Sequence, residues 1–293
     1  MKIFRKLAAL VSVAALLLTG CGANDDPFET SPSTDAITVG SSAYYSNEIL
    51  AEIFSQALEA EGFEVNRRFN IGKRDAYLPS LQNGDITLFA EYTGNLLQAL
   101  EPDTTVTEPQ AVYDELVKAL PDNLVAYDRA PAADQDSYNV TAEFAEKNQV
   151  KTIADLAKIG KVRVGGKPEL EGRPYGPQGL RSVYGLDVEF VATGETTPEE
   201  LAAGNVDVAN IFSAEPRIKT YNLVTLEDPK GMFLASNVVP IVQAEKADEL
   251  RGIIEPIAKK LTTEDLVNMN LASTRDKRSS ADIAKEWLRS INK

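Results

Sequence analysis

Asn83-Gly84-Asp85-Ile86-Thr87-Leu88-Phe89-Ala90-Glu91-Tyr92-Thr93-Gly94-Asn95 is the stretch on which the fold turns. Asn83-Gly84 is a turn signal. Ile86, Leu88 and Ala90 alternate with Thr87, Phe89 and Glu91, the pattern of a short buried strand. The strand delivers Glu91 to Asn95 at its carboxyl end, where a helix can begin. In open α/β sheets ligands collect outside the carboxyl ends of strands, near helix N-termini. Tyr92 therefore stands either at a cleft mouth, beside the free N–H groups of Thr93 to Asn95, or as a core tyrosine closing a strand. Position alone leaves both open.

Upstream, residues 36–40 read as a strand, and Ser46 is a good N-cap for a helix whose face is Ile49, Leu50, Ile53, Phe54, Ala57 and Leu58. Residues 63–69 read as a strand and 75–81 as a short helix. The unit is strand–helix–strand–helix–strand, a parallel α/β arrangement. Downstream, 109–120 is an amphipathic helix, and 124–130 and 137–141 are extended, split by the polar loop 131–136. A second unit follows, with strands at 162–165, 187–191, 205–212 and 223–226 and helices between them. Residues 238–242 form an apolar returning strand before three helices, 247–261, 263–271 and 280–291. Two α/β lobes joined twice, near 137–141 and 237–242, describe a clamp that closes on a small ligand.

Net charge at pH 7 is −14 over 293 residues, which argues against nucleic acid and against a polybasic membrane surface. Without a histidine there is no Ser–His triad, no histidine-ligated zinc and no histidine base. A single cysteine excludes an intrachain disulfide and multi-cysteine metal sites. No cofactor or metal is expected. A Gly-x-Ser-x-Gly elbow is also missing, so an extracytoplasmic hydrolase or transferase finds little support.

Lys2, Arg5 and Lys6 precede an apolar run, Leu7 to Leu18, too short to span a bilayer. Leu18-Thr19-Gly20-Cys21 resembles a bacterial lipobox, which implies lipidation of Cys21 on the outer face of the cytoplasmic membrane. Residues 1–20 are then a signal peptide and 21–35, rich in Asp, Ser, Thr and Pro, a flexible tether.

Several segments carry a resemblance: Ile37-Thr38-Val39-Gly40-Ser41, Gly84-Asp85-Ile86, Glu91-Tyr92-Thr93-Gly94, Gly179-Leu180 through Tyr184-Gly185, and Arg217-Ile218-Lys219-Thr220-Tyr221-Asn222-Leu223. From about Ala36 onward the chain resembles the substrate-binding lipoproteins of osmoprotectant ABC importers, which take glycine betaine, choline, carnitine or proline betaine. The resemblance implies a type II periplasmic-binding-protein fold, two α/β lobes joined by two hinge crossings. Lobe 1 is then 36–137 with 241–293, and lobe 2 is 138–240. It also implies a monomer, a permease and its ATPase as partners, and a carboxylate-free aromatic cage that holds a quaternary ammonium by cation–π attraction.

Residue by residue, the resemblance makes Tyr92 and Tyr138 cage tyrosines and Arg173 the grip on a ligand carboxylate. Phe212 and Ser236 stand where the family has further cage tyrosines, Ser42 where some members have a lysine, and Asn95 where some have a threonine. Thr93 and Asn237 flank these positions and join the expected site. Tyr44 and Tyr45 can supply a missing wall. The altered cage suits a bulkier betaine, a different polar cation or an amino-acid-like ligand, and a ligand-sensing lipoprotein without transport is the alternative role.

Overall fold

The computed structural model describes residues 36–291. The leader, Cys21 and the tether lie outside the described residues. The strands run in chain order as β1 (Ile37–Gly40), β2 (Val65–Arg68), β3 (Leu88–Tyr92), β4 (Leu124–Ala126), β5 (Asp136–Thr141), β6 (Val162–Gly166), β7 (Val188–Ala192), β8 (Val208–Phe212), β9 (Leu223–Thr225) and β10 (Val238–Gln243).

They form two five-stranded sheets, β2-β1-β3-β10-β4 and β7-β6-β8-β5-β9. The two follow one plan. In each, three parallel strands are wound around a central first strand, β1 or β6. The fourth strand is antiparallel: β10 returns to the first sheet from the second, and β5 is the strand by which the chain enters the second. In both sheets the antiparallel strand is thus the one that directly follows a passage of the chain between the lobes.

The chain passes between the sheets at 127–135 and 226–237, just ahead of the segments expected from sequence. The two passages lie side by side. Ala133 bridges Asn237 in antiparallel fashion, Ala130 N–H donates to the Val238 carbonyl at 2.8 Å, and Asp134 N–H donates to that of Ser236 at 3.0 Å. Asp134, Gln135 and Ser236 are thereby pinned at the seam.

The helices sit where the apolar periodicity puts them. Helix Tyr45–Ala60 buries Ile49, Leu50, Ile53, Phe54 and Leu58 on the first sheet, and helix Ser280–Ile291 packs Ile283 and Trp287 into the same core. A separate core under the second sheet gathers Tyr138, Val140, Val162, Val164, Leu180 and Val208. Ser46 is not the N-cap. The helix starts at Tyr45, Tyr44 occupies the cap position with extended backbone, and no side chain caps it; the Ser46 hydroxyl is buried without a hydrogen bond. The end is held instead by Asn47, whose Oδ1 accepts Ser42 N–H at 2.7 Å and whose amide donates to the Ala90 carbonyl at 2.6 Å. No helix among the described residues is long and apolar enough to cross a membrane.

Helix Thr93–Leu100 begins directly at the end of β3, and the second residue of that helix explains the Tyr-Thr-Gly run. A Cβ at Gly94 would stand 2.4 Å from the Ala235 carbonyl oxygen and 2.7 Å from Leu234 Cγ. The gain in helix propensity from Gly to Ala, about 1 kcal/mol, cannot offset displacement of a backbone carbonyl. Gly94→Ala is therefore expected to destabilise the fold by about 1–3 kcal/mol. Denaturant unfolding should show a lower midpoint with an unchanged slope.

Candidate functional site

β3 and β8 are equivalent strands of the shared plan, and each ends in an aromatic residue, Tyr92 and Phe212. Both follow a glycine turn with positive φ, at Gly84 and Gly204. Carboxyl ends of parallel strands face the crevice of an open α/β sheet, so the plan itself aims one ring from each lobe at the space between them.

That space has three adjoining compartments of about 360, 480 and 470 Å³. Phe212 borders all three and is 48% exposed, unusual for a ring at the end of an interior strand. The third compartment is walled by Ser42, Tyr44, Tyr45, Tyr92, Asn95 and Asp134. The Tyr44 and Tyr45 rings lie 4.6 Å apart, tilted by 53°. The second is walled by Asn95, Gln135, Asp136, Arg173, Tyr175 and Ser236, and the first by Asp136, Lys167, Arg173, Tyr175, Asn210 and Glu215.

Of the expected ligand residues, Tyr92, Phe212, Arg173, Asn95, Ser42, Tyr44, Tyr45 and Ser236 all border this cleft. Three are placed elsewhere. Tyr138 is fully buried in the core of the second sheet, its ring against Phe233 and its hydroxyl donating to the Tyr175 carbonyl at 2.7 Å. The ring that reaches the cleft at this corner is Tyr175. Thr93 and Asn237 satisfy each other: Thr93 N–H donates to the Asn237 carbonyl at 2.8 Å and Asn237 N–H to Thr93 Oγ1 at 3.0 Å. The Asn237 amide also donates to the Ala130 carbonyl at 3.0 Å, so both residues clip the seam and border none of the three compartments.

Glu91, beside Tyr92, is 1% exposed and fully employed. Arg74 donates to it twice, at 3.1 and 2.9 Å, Tyr77 hydroxyl at 2.7 Å and Tyr92 N–H at 3.0 Å. The pair locks the loop before helix Arg74–Gln82 against the strand end. Burial, with Asp134 second, raises the pKa of the Tyr92 hydroxyl against an opposing pull from Ser46, and no hydrogen bond of good geometry joins the two hydroxyls. At the position where a cage tyrosine was expected, Ser236 instead builds a polar corner, its hydroxyl donating to Asn95 Oδ1 and its N–H to Gln135 Oε1 at 3.0 Å.

The cleft is not free of carboxylates. Asp134 Oδ1 accepts Ala214 N–H at 3.1 Å and Oδ2 accepts the Tyr44 hydroxyl at 3.3 Å. Burial pushes its pKa up to about 6 against those two bonds, with Glu215 and Asp136 adding to the rise. Burial also raises Asp136 above the ordinary carboxylate range, against the pull of Tyr175, Asn210 and Arg173. Burial first and Asp134 second push the Tyr44 hydroxyl far up, so it remains a donor. Sequence reading passed over Asp134, Gln135 and Asp136 as a polar loop. Their one signal is position, immediately before a strand that crosses from lobe to lobe.

Residues 35–290 match the family model of the substrate-binding domain of ABC-type glycine betaine transport systems. The chain belongs to this family. It is similar to the carnitine transport binding protein OpuCC of Listeria monocytogenes, 24% identical over 98% of this chain and 97% of the relative. It is also similar to the glycine betaine-binding protein YehZ of Escherichia coli K12, 22% identical over 86% of this chain and 90% of that one. A crystal structure of a glycine betaine/carnitine/choline ABC transporter superposes with a TM-score of 0.82 at 21% identity, covering 87% of this chain and 98% of that chain. The architecture is thus the type II periplasmic-binding-protein fold, in a family of solute-binding proteins that serve ABC importers.

The raised Asp134 carboxyl makes a stability prediction. An acid whose folded pKa lies above its unfolded value of 3.8 holds its proton longer when folded, so stability falls as pH rises from about 4 to about 6. Asp134→Asn keeps an acceptor for Ala214 N–H and removes the buried charge. It should raise stability at pH 7–8, by on the order of 2–3 kcal/mol, with the gain shrinking toward pH 4. Thermal unfolding across pH 4–8 measures this, and a uniform gain or a loss at pH 8 would contradict it.

Proposed function

We propose that the protein captures a quaternary-ammonium solute in the aromatic-lined cleft between its lobes and delivers it to an ABC permease and its ATPase. Lipid on Cys21 holds it at the outer face of the cytoplasmic membrane. The observation that carries this reading is the exposed Phe212 ring at the meeting point of the three compartments, opposite the wall of Tyr44, Tyr45 and Tyr92. A trimethylammonium donates no conventional hydrogen bond, so ring faces are what can hold it, at about 0.5–2 kcal/mol per ring. The relatives named for carnitine and glycine betaine handle solutes of this chemistry.

Phe212→Ala and Tyr92→Ala should each weaken binding of glycine betaine, carnitine or choline about tenfold, corresponding to about 1.4 kcal/mol. Phe212→Ala should leave the unfolding midpoint almost unchanged, because half the ring is already in water. Tyr92→Phe should bind nearly normally, because the hydroxyl makes no hydrogen bond. Calorimetric titration of the three solutes reads these outcomes, and full affinity in both alanine variants would place the ligand elsewhere.

The anchor is tested separately. Cys21→Ala should leave the protein unprocessed or released from membranes and without lipid label. Retention with normal labelling would refute lipidation at that residue.

A further inference from the structure

The cleft wall is rich in charge, and most of it is already paired. Arg74 meets Glu91 at 2.9 Å, Lys167 meets Glu195 at 2.7 Å, and Arg217 meets Glu215 at 2.8 Å. Lys73 and Glu169 are exposed at the rim, where water and salt screen them. Of the remaining groups, Arg173 is also exposed and makes no ion pair within bonding distance, but its charge pulls, after Tyr175 and Asn210, against the rise that burial gives Asp136. Both residues border the same two compartments. Among the described residues of the cleft, Asp134 is then the partly buried carboxylate on which no cation acts, Asp136 having Arg173 nearby and Glu169 being open to water. Its two bonds come from neutral donors, a backbone N–H and a tyrosine hydroxyl.

We propose that the ligand binds as a species of net positive charge with Asp134 as its counter-ion, while Arg173 compensates Asp136 and does not grip a ligand carboxylate. This rests on the cleft being the ligand site, whether or not the cation is a quaternary ammonium. A lone charge removed from water is costly, and a second charge of opposite sign recovers that cost only when it arrives in the same low-dielectric space. Asp134 lies at the end of the Tyr44 side chain, in the compartment that Tyr45, Tyr92 and Phe212 also wall. A cation on those ring faces therefore sits beside the carboxylate. A zwitterion brings no net charge to Asp134, and its own carboxylate would have to compete with Asp136 for Arg173.

The groups that face Asp134 are Tyr44 and Tyr45 from the start of the first long helix, Tyr92 from β3, and Glu215 and Asp136 from the second lobe. Asp134, raised to about 6, is the group bonded within the aromatic compartment that makes cation binding pH-dependent; Asp136, also raised by burial, borders the two compartments beyond it. Affinity for a cation should therefore fall as pH drops through 6.

The test is calorimetry on the full chain with choline, glycine betaine and putrescine, for the wild type, Asp134→Asn and Arg173→Ala, with thermal unfolding of each variant as a folding control. Choline should bind at least tenfold tighter than glycine betaine. Asp134→Asn should cost choline at least tenfold, erase the preference and flatten the pH profile. Arg173→Ala should change both affinities by similar factors. Tighter binding of glycine betaine, lost selectively in Arg173→Ala, would overturn the inference and leave the quaternary-ammonium reading standing. Binding of putrescine alone, dependent on Asp134, would do the reverse. Binding of none of the three would overturn both.

Discussion

A carboxylate with 1% of its surface in water must be compensated completely, and at Glu91 it is. Arg74 supplies a bidentate ion pair, and Tyr77 and the Tyr92 N–H occupy the remaining acceptor positions. Removing one partner would strand the others, which is why such a pair is rigid even where its net contribution to stability is small. The consequence is geometric. The end of β3, the start of helix Arg74–Gln82 and the first turn of helix Thr93–Leu100 are fixed to one another, and Tyr92 is held at the corner where they meet.

The second lobe reaches a comparable corner by different chemistry. Phe212 ends β8 as Tyr92 ends β3, but the residue paired with it across the strands is Asp136 from β5, not an aliphatic from β10. Because β5 and β10 each take an inner place in their sheet directly after a passage between the lobes, both passages lie along the cleft. The side chains at the seam, Asp134, Gln135, Asp136 and Ser236, are for that reason also cleft walls. Residues that line the passages are those whose surroundings change most in any movement of one lobe against the other.

Compensation is complete at Glu91 and incomplete at Asp134, a contrast within one wall of the cleft. The first is a structural charge, neutralised by the fold. The second is held by two neutral donors and carries a raised pKa because burial outweighs them. Polar groups left under-satisfied in a cleft cost stability and mark places where binding has something to complete.

The order of strands and helices, the paired α/β units and the place where β3 ends follow from local pattern: period-two alternation from Ile86 to Glu91, helical spacing from Ile49 to Leu58, and the Asn83-Gly84 turn. Much of the cleft was legible too, because carboxyl ends of parallel strands are predictable places, and Tyr92 and Phe212 stand there. Which neighbours join them was not. Tyr138 and Tyr175 are both tyrosines in the second lobe and both pack against Phe233, yet Tyr138 is fully buried from its place within β5 while Tyr175, on the loop after Arg173, borders the cleft. Thr93 and Asn237 read as polar groups free for a ligand until the returning strand, 144 residues on, brings them into mutual hydrogen bonds. Asp134 reads as loop because its hydrogen-bond partners are Tyr44, 90 residues earlier, and Ala214, 80 residues later. Local alternation is a property of adjacent residues, and sequence alone determined it. Desolvation and charge compensation depend on partners distant in the chain, and only the tertiary structure decided those.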